Sequence, residues 1–253
     1  NHEDFNQSIN ICQRIIELDK SFYFAYNRIG LCHIKLENKK EAKVHFEKAI
    51  KIKPDYSEGL TNYGFVLQLL REYSLATVQF EKALSIDPNS DEAFINLSKS
   101  YYDEGRLSKA MEIAKKGLSV KQLNIPLLKN LIASLLLLNR FDEASEACKK
   151  ILSINKDDAD AINLMGTILE KQGFYHDAKA HFLRAISLDK SLIQAKINIA
   201  IIHQLEGQTE KANKIYSDLE KEYPENPEIL YRKSAFSLQL ENFEEGWRYY
   251  EYR

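Results

Sequence analysis

Apolar side chains return every three or four positions along most of this chain, the spacing that lines one face of an α-helix. In "FAYNRIGLCHIKLENKKEAKVHFEKAIKIKPD" the rhythm breaks at Glu37-Asn38-Lys39, resumes, and ends at Pro54. This predicts two antiparallel helices joined by a short turn, with proline where the second must stop, because proline cannot continue the backbone ladder. The longest apolar stretch, Leu127 to Leu138, is broken by Lys129, Asn130 and Ser134 and is too short to span a bilayer, so it reads as a buried helix.

The pattern repeats. Ala42, Ala76, Ala110, Ala144, Ala178 and Ala212 are each 34 residues apart, without an insertion or deletion. Small residues precede the alanine by 12 positions at Gly30, Gly64, Ser98, Gly166 and Ala200. Aromatic residues follow it by four at Phe46, Phe80, Phe182 and Tyr216, and prolines by 12 at Pro54, Pro88 and Pro224. The small positions let paired helices approach, and the aromatic fills the space between units. Complete units are expected over 23–56, 57–90, 91–124, 125–158, 159–192 and 193–226, within a single domain over 1–253. A half unit over 1–22, with its helix near 4–19, precedes them, and a partial aromatic-rich unit over 227–253 follows. Ile132 replaces the usual glycine, which predicts locally wider packing, and Gln122, Lys156 and Lys190 replace the terminal proline.

These marks resemble the tetratricopeptide (TPR) repeat, and the resemblance covers nearly the whole chain. It implies an all-α fold, a right-handed superhelical solenoid of antiparallel helix pairs, with first helices on the concave wall and second helices outside. It also implies a protein-binding module, with function on the first helices.

One polar row stands out on those helices. Asn62, Asn96, Asn130 and Asn198 lie two residues before the small position, and Asn27 and Asn163 stand one residue earlier in their units. A carboxamide offers both a donor and an acceptor, so such a row suits the backbone of an extended peptide. Each bond adds roughly 0.5 to 1.5 kcal/mol net, which suggests weak affinity with broad sequence tolerance. Neighbouring groove positions, among them Phe65, Lys99, Tyr102, Lys129, Thr167, Glu170, Gln204 and Tyr231, would then supply specificity. The other reading of the same row is that the amides bridge adjacent repeats and satisfy buried carbonyls. On the binding reading, Asn96→Ala and Asn130→Ala together weaken partner binding while barely changing stability. The row resembles the asparagines with which the TPR region of O-linked N-acetylglucosamine transferases grips substrate polypeptide. A carboxylate clamp for acidic chaperone tails is matched only partly, by Asn163, Asn198 and Arg232, with Glu228 and Thr167 where basic or amide groups are expected.

Composition narrows the remaining classes. Thirty-five basic against 37 acidic residues give a net charge of -2, which leaves no electrostatic footprint for nucleic acid or an anionic membrane. Cys12, Cys32 and Cys148 are too few for a disulfide framework, and Cys12 and Cys148 occupy the register of Phe46, so they read as core thiols of a reducing, cytoplasmic compartment. His45 and His181, like His33 and His203, share repeat positions and need no ligand role. No metal-binding, phosphate-binding or nucleophile motif is present, so no catalytic residue, cofactor or metal is assigned and the chain is expected not to be an enzyme by itself.

The last segment, "LENFEEGWRYYEYR", is different. Phe243, Trp247 and Tyr250 form one aromatic stripe, with Tyr249 and Tyr252 beside it and Gly246 at the alanine position. The stripe either packs on Phe236 and Leu238 of its own repeat or docks elsewhere. The segment resembles a Gly-Asp-Phe-x-Glu-Gly-Trp-x-x-Tyr-Glu-x-Arg motif found where bacterial TPR arrays lead into glycosyltransferase-like domains, with Glu251 and Arg253 agreeing and Glu241 and Asn242 differing. That resemblance implies a substrate-recruiting arm whose catalytic domain lies outside this chain. The sequence lacks an initiator Met and a visible signal peptide, and begins and ends inside repeats, as an excised segment would. The uncovered terminal repeats also allow self-association.

Overall fold

A computed structural model describes residues 2–248 and 250. Tyr249, Glu251, Tyr252 and Arg253 of the terminal motif lie outside the described residues. The chain divides into two compact units, Asn1–Arg140 and Phe141–Arg253. The first holds α1 (His2–Leu18), α2 (Tyr23–Lys35), α3 (Lys39–Ile52), α4 (Ser57–Leu69), α5 (Tyr73–Ile86), α6 (Asp91–Asp103), α7 (Leu107–Val120) and α8 (Ile125–Leu137). The second holds α9 (Phe141–Ile154), α10 (Ala159–Lys171), α11 (Tyr175–Leu188), α12 (Ile193–Leu205), α13 (Thr209–Glu222), α14 (Pro227–Gln239) and α15 (Phe243–Arg248). No strand occurs among the described residues.

Each helix pair turns through one left-handed residue, and that residue recurs in register. Glu37, Arg71, Gly105, Asn139, Gly173, Gly207 and Glu241 all have φ between 56° and 86°. The amide after each reaches back five residues, as Asn38 N–H does to His33 O at 2.8 Å and Phe174 N–H to Leu169 O at 2.9 Å. This is a Schellman ending, which satisfies the last carbonyls of the first helix.

Proline does not alone stop the second helices. Where it is missing, α9 and α11 end at the same register, and Asn155 and Asp189 accept from the backbone N–H groups of Asp157 at 3.1 Å and Ser191 at 2.8 Å. In these two turns a side-chain acceptor supports the stop, as Asp87 also does beside Pro88 by accepting from Asn89 N–H at 3.1 Å.

Within the repeats, close approach follows residue volume. A Cβ on Gly30 would stand 2.6 Å from the Phe46 ring, one on Gly64 2.6 Å from Phe80, and one on Gly166 2.5 Å from Phe182. The third repeat trades glycine and aromatic for Ser98 and Ala114, both fully buried. Tyr216 packs with Ala200, Ala212 and Phe236, its ring 5.5 Å from that of Phe236. Ile132 is also fully buried, and the aromatic position sixteen residues on holds the smaller Cys148. All three cysteines are buried free thiols, and burial pushes the Cys148 thiol up to about 11.

Candidate functional site

The asparagine row sits on the first helices, but its members are not equivalent. In the first unit, Asn62 donates through Nδ2 to Asn27 Oδ1 at 3.0 Å. Buried Asn27 passes its own Nδ2 to Tyr56 Oη at 3.0 Å and to Glu58 Oε1 at 3.3 Å. Burial and the neighbouring Glu58 carboxylate raise the Tyr56 phenol well above its ordinary value, so it stays a neutral acceptor for Asn27. Asn130 donates to the Ile95 carbonyl at 3.0 Å and to Ser98 Oγ at 2.8 Å. In the second unit, Asn198 donates to Asn163 Oδ1 at 3.0 Å and Thr167 Oγ1 at 3.4 Å, and its Oδ1 accepts from Gln194 at 3.5 Å.

Three of the row therefore brace repeat to repeat, each reaching a residue 35 positions earlier. This is one period plus one residue, the offset between successive first helices. Asn96 breaks the rule. The residue 35 positions before it is Thr61, whose hydroxyl turns to its own helix and donates to Ser57 O at 3.0 Å. The half-buried Asn96 carboxamide has no hydrogen-bond partner among the described residues.

Asn62 and Asn96 line one cavity of about 400 Å³ in the first unit, with Leu31, Ile34, Phe65, Ile95 and Pro126. It runs across α2, α4 and α6 to the start of α8, so consecutive first helices build it. Lys99 is exposed, while Tyr102 is half-buried against the Leu67, Phe80 and Leu97 cluster. Sequence reasoning passed over Leu31, Lys35, Glu92 and Pro126. The signal lay in the period, since Leu31 shares the register of Phe65 and Lys99, and Glu92 that of Glu58 and Pro126. The partial clamp set is internally engaged: Asn163 holds Asn198, and Arg232 faces Glu228 at 3.8 Å.

The terminal helix contributes one carboxylate, Glu245, to a buried cation. Lys233 bridges Glu220 at 2.6 Å and Glu245 at 2.7 Å, and its side chain is 7% exposed. Burial alone would lower the Lys233 pKa, but its hydrogen bonds to the two carboxylates raise it. Lys233 in turn holds the Glu245 carboxyl below its ordinary range, with Ser237 donating to the same group at 3.0 Å. Asn242 caps α15 by accepting from Glu245 N–H at 3.4 Å, and Glu245 Oε2 accepts from Asn242 Nδ2 at 3.1 Å. Ser234 donates to Gly246 O at 2.6 Å, and a Cβ on Gly246 would meet Leu238 at 2.5 Å. The closest face of α15 is thus glycine and carboxylate, not the aromatic stripe. Phe243 and Trp247 remain 58% and 59% exposed, and Trp247 meets Tyr250 edge-on at 5.0 Å. Packing of the whole stripe on Phe236 and Leu238 is therefore not what forms: Leu238 covers Gly246, and Phe236 packs on Tyr216.

No described helix is long and apolar enough to cross a membrane. Tetratricopeptide-repeat family models match residues 23–56, 67–135, 159–192 and 194–226. A tetratricopeptide repeat protein from Parabacteroides merdae has a similar structure, with 16% identity over 90% of each chain and a TM-score of 0.81. PilF of Pseudomonas aeruginosa matches at 20% identity over 87% of this chain and 98% of its own, with a TM-score of 0.66. YrrB, described as a TPR protein with an unusual peptide-binding site, matches at 17% identity over 73% of this chain and 95% of its own, with a TM-score of 0.61. At these identities the likeness carries the fold. No curated protein matches the chain. Helix pairs recurring every 34 residues, glycine set against aromatic within them, and matched repeats in both units lead to one conclusion: this chain is a tetratricopeptide-repeat protein, of the all-α fold typical of protein–protein interaction modules.

Proposed function

We propose that the chain binds a protein partner as an extended segment laid along the first helices of its repeats. The observation that carries this reading is Asn96, a half-buried carboxamide left without an internal partner while the rest of its row in the first unit is engaged. A polar side chain in that state is satisfied by a ligand or by water, and a peptide group offers both the donor and the acceptor it needs. Asn62 and Asn130 have committed their N–H groups to bracing but keep Oδ1 to accept a partner N–H. Lys99 and Tyr102 extend the surface along α6. Asn163 and Asn198 would brace a groove in the second unit in the same manner as Asn27 and Asn62.

The test is selection of peptides against the protein from a displayed random library, followed by affinity measurement on Asn96→Ala. The expected loss is about fivefold or more, for one or two hydrogen bonds. Selected peptides that bind the variant unchanged would remove the reading.

A second reading rests on the exposure of Phe243 and Trp247 at 58% and 59%. In it the stripe docks onto an adjoining glycosyltransferase-like domain, to which the repeats bring substrate. Hydrogen exchange of residues 243–248 reports this segment in either chain. Added protection in a chain carrying such a domain is the expected result, and equal protection in both chains argues against it.

A further inference from the structure

The first-unit cavity carries chemistry for one kind of peptide. Ile34, Phe65 and Ile95 give it an apolar lining, and Lys35 from α2 and Glu92 from α6 line it as well. Both charged residues are exposed, and neither has an ion-pair or hydrogen-bond partner among the described residues. Some other charges of this unit are matched, as Lys43 is by Glu72 at 2.6 Å and Lys121 by Asp91 at 2.7 Å, but none of those pairs lines the hollow. Opposite charges left uncompensated on two sides of an apolar hollow, beside the unpartnered Asn96, describe a complementary ligand. At about 400 Å³ the hollow falls within the range of about 300–1,000 Å³ usual for ligand pockets.

Resting on the groove reading above, we propose that this cavity is a specificity pocket. It takes one large apolar side chain of an extended peptide that bears an acidic residue on the Lys35 side and a basic residue on the Glu92 side. Asn96 holds the peptide group beside the apolar residue from both ends. Neighbouring helices lie about 8–10 Å apart, so the two steps from α2 to α6 span about 16–20 Å. Five or six extended residues cover that distance at about 3.3 Å each. Electrostatic pairing at the ends then sets which segment is chosen and in which direction it runs.

The test uses capped heptapeptides, Asp-Ala-Ala-Leu-Ala-Ala-Lys and its charge-reversed form Lys-Ala-Ala-Leu-Ala-Ala-Asp, titrated by NMR. Controls carry two Asp, two Lys, or Ala in place of Leu. One charge-split peptide is expected to bind at least fivefold tighter than the other and than either like-charged control. Replacing its Leu by Ala is expected to cost about tenfold, the order of magnitude for burying such a side chain. The double variant K35E/E92K, altered only at exposed positions, is expected to invert the preference between the two charge-split peptides. Two results overturn the proposal. If all peptides bind alike and Asn96→Ala weakens them all, the pocket is not selective, although the groove still binds peptide. If no peptide binds, or if binding is indifferent to Asn96→Ala, the pocket and the groove reading fall together.

Discussion

Asn62 donates its amide to Asn27 across 35 residues of sequence, at 3.0 Å, and so joins two successive first helices through a pair of carboxamides. Asn27 is buried, with its own N–H groups directed to Tyr56 and Glu58. Removing Asn62 leaves the Asn27 oxygen without its donor. Asn62→Ala should therefore cost about 1–3 kcal/mol, and Asn130→Ala a similar amount, whereas Asn96→Ala should stay within about 0.5 kcal/mol. Denaturant titration of the three variants measures this. The expectation that Asn96→Ala and Asn130→Ala together barely change stability is revised accordingly, because Asn130 braces Ile95 and Ser98. Equal stability of all three would remove the bracing role.

The seven left-handed turn residues make a second prediction. Glu37 and Arg71 sit at φ 61° and 62°, which strains a residue bearing a Cβ. Glu37→Gly and Arg71→Gly should each stabilise by about 0.5–1 kcal/mol, and Gly173→Ala, at φ 86°, should destabilise by about 1 kcal/mol. Thermal melts decide it, and a fall in Tm for Glu37→Gly and Arg71→Gly would contradict the assignment of strain.

Volume exchange between small and aromatic positions predicts a coupled pair. Gly64→Ala drives a methyl to 2.6 Å from the Phe80 ring and should cost about 1–3 kcal/mol. Phe80→Leu by itself opens a gap, but in the Gly64→Ala background it should recover part of the loss, because the two sites share one space. Additive losses in the double-mutant cycle would show that the two residues do not compete for volume.

The Lys233 network makes the last helix sensitive to pH. Glu245 has a folded pKa below its ordinary value of 4.5, so its stabilising contribution is present above that value and is lost as pH falls through the lower folded one. Lys233 has a folded pKa above its ordinary 10.5, so its contribution is present below that value and is lost as pH rises past the folded one. Attachment of α15 should thus hold between these limits and weaken first on acidification. The protection of amides in residues 243–248, corrected for the intrinsic rate at each pH, should fall below pH about 4.5 while that of α12 does not. Glu245→Gln should loosen α15 at neutral pH by about 1–3 kcal/mol, and unchanged exchange in that variant would count against the network.

Much of this fold could be read from spacing because its units are local. A 34-residue period, a break near Glu37-Asn38-Lys39 and paired small and aromatic positions all follow from helix periodicity and side-chain volume, which sequence displays directly. Even the left-handed turns left a trace, since Gly105, Gly173 and Gly207 fall on the same register. Glu37, Arg71 and Glu241 hid it, because nothing in those residue types announces a positive φ.

The site was legible only in part. The sequence alone shows that carboxamides recur along one helix face, because repetition places them there. It could not determine which of them are engaged, since a carboxamide has the same composition whether it braces or waits. The tertiary structure decided that: one period plus one residue brings Asn62 to Asn27, Asn130 to Ile95 and Asn198 to Asn163, and brings Asn96 only to a Thr61 turned toward its own helix. It likewise decided which face of α15 lies against α14, because only where Gly246 meets Leu238 is there no room for a side chain, and that contact turns Phe243 and Trp247 to the surface. Such outcomes depend on how neighbouring helices offset and fill one another's space, which is a property of the packed pair and not of either helix alone.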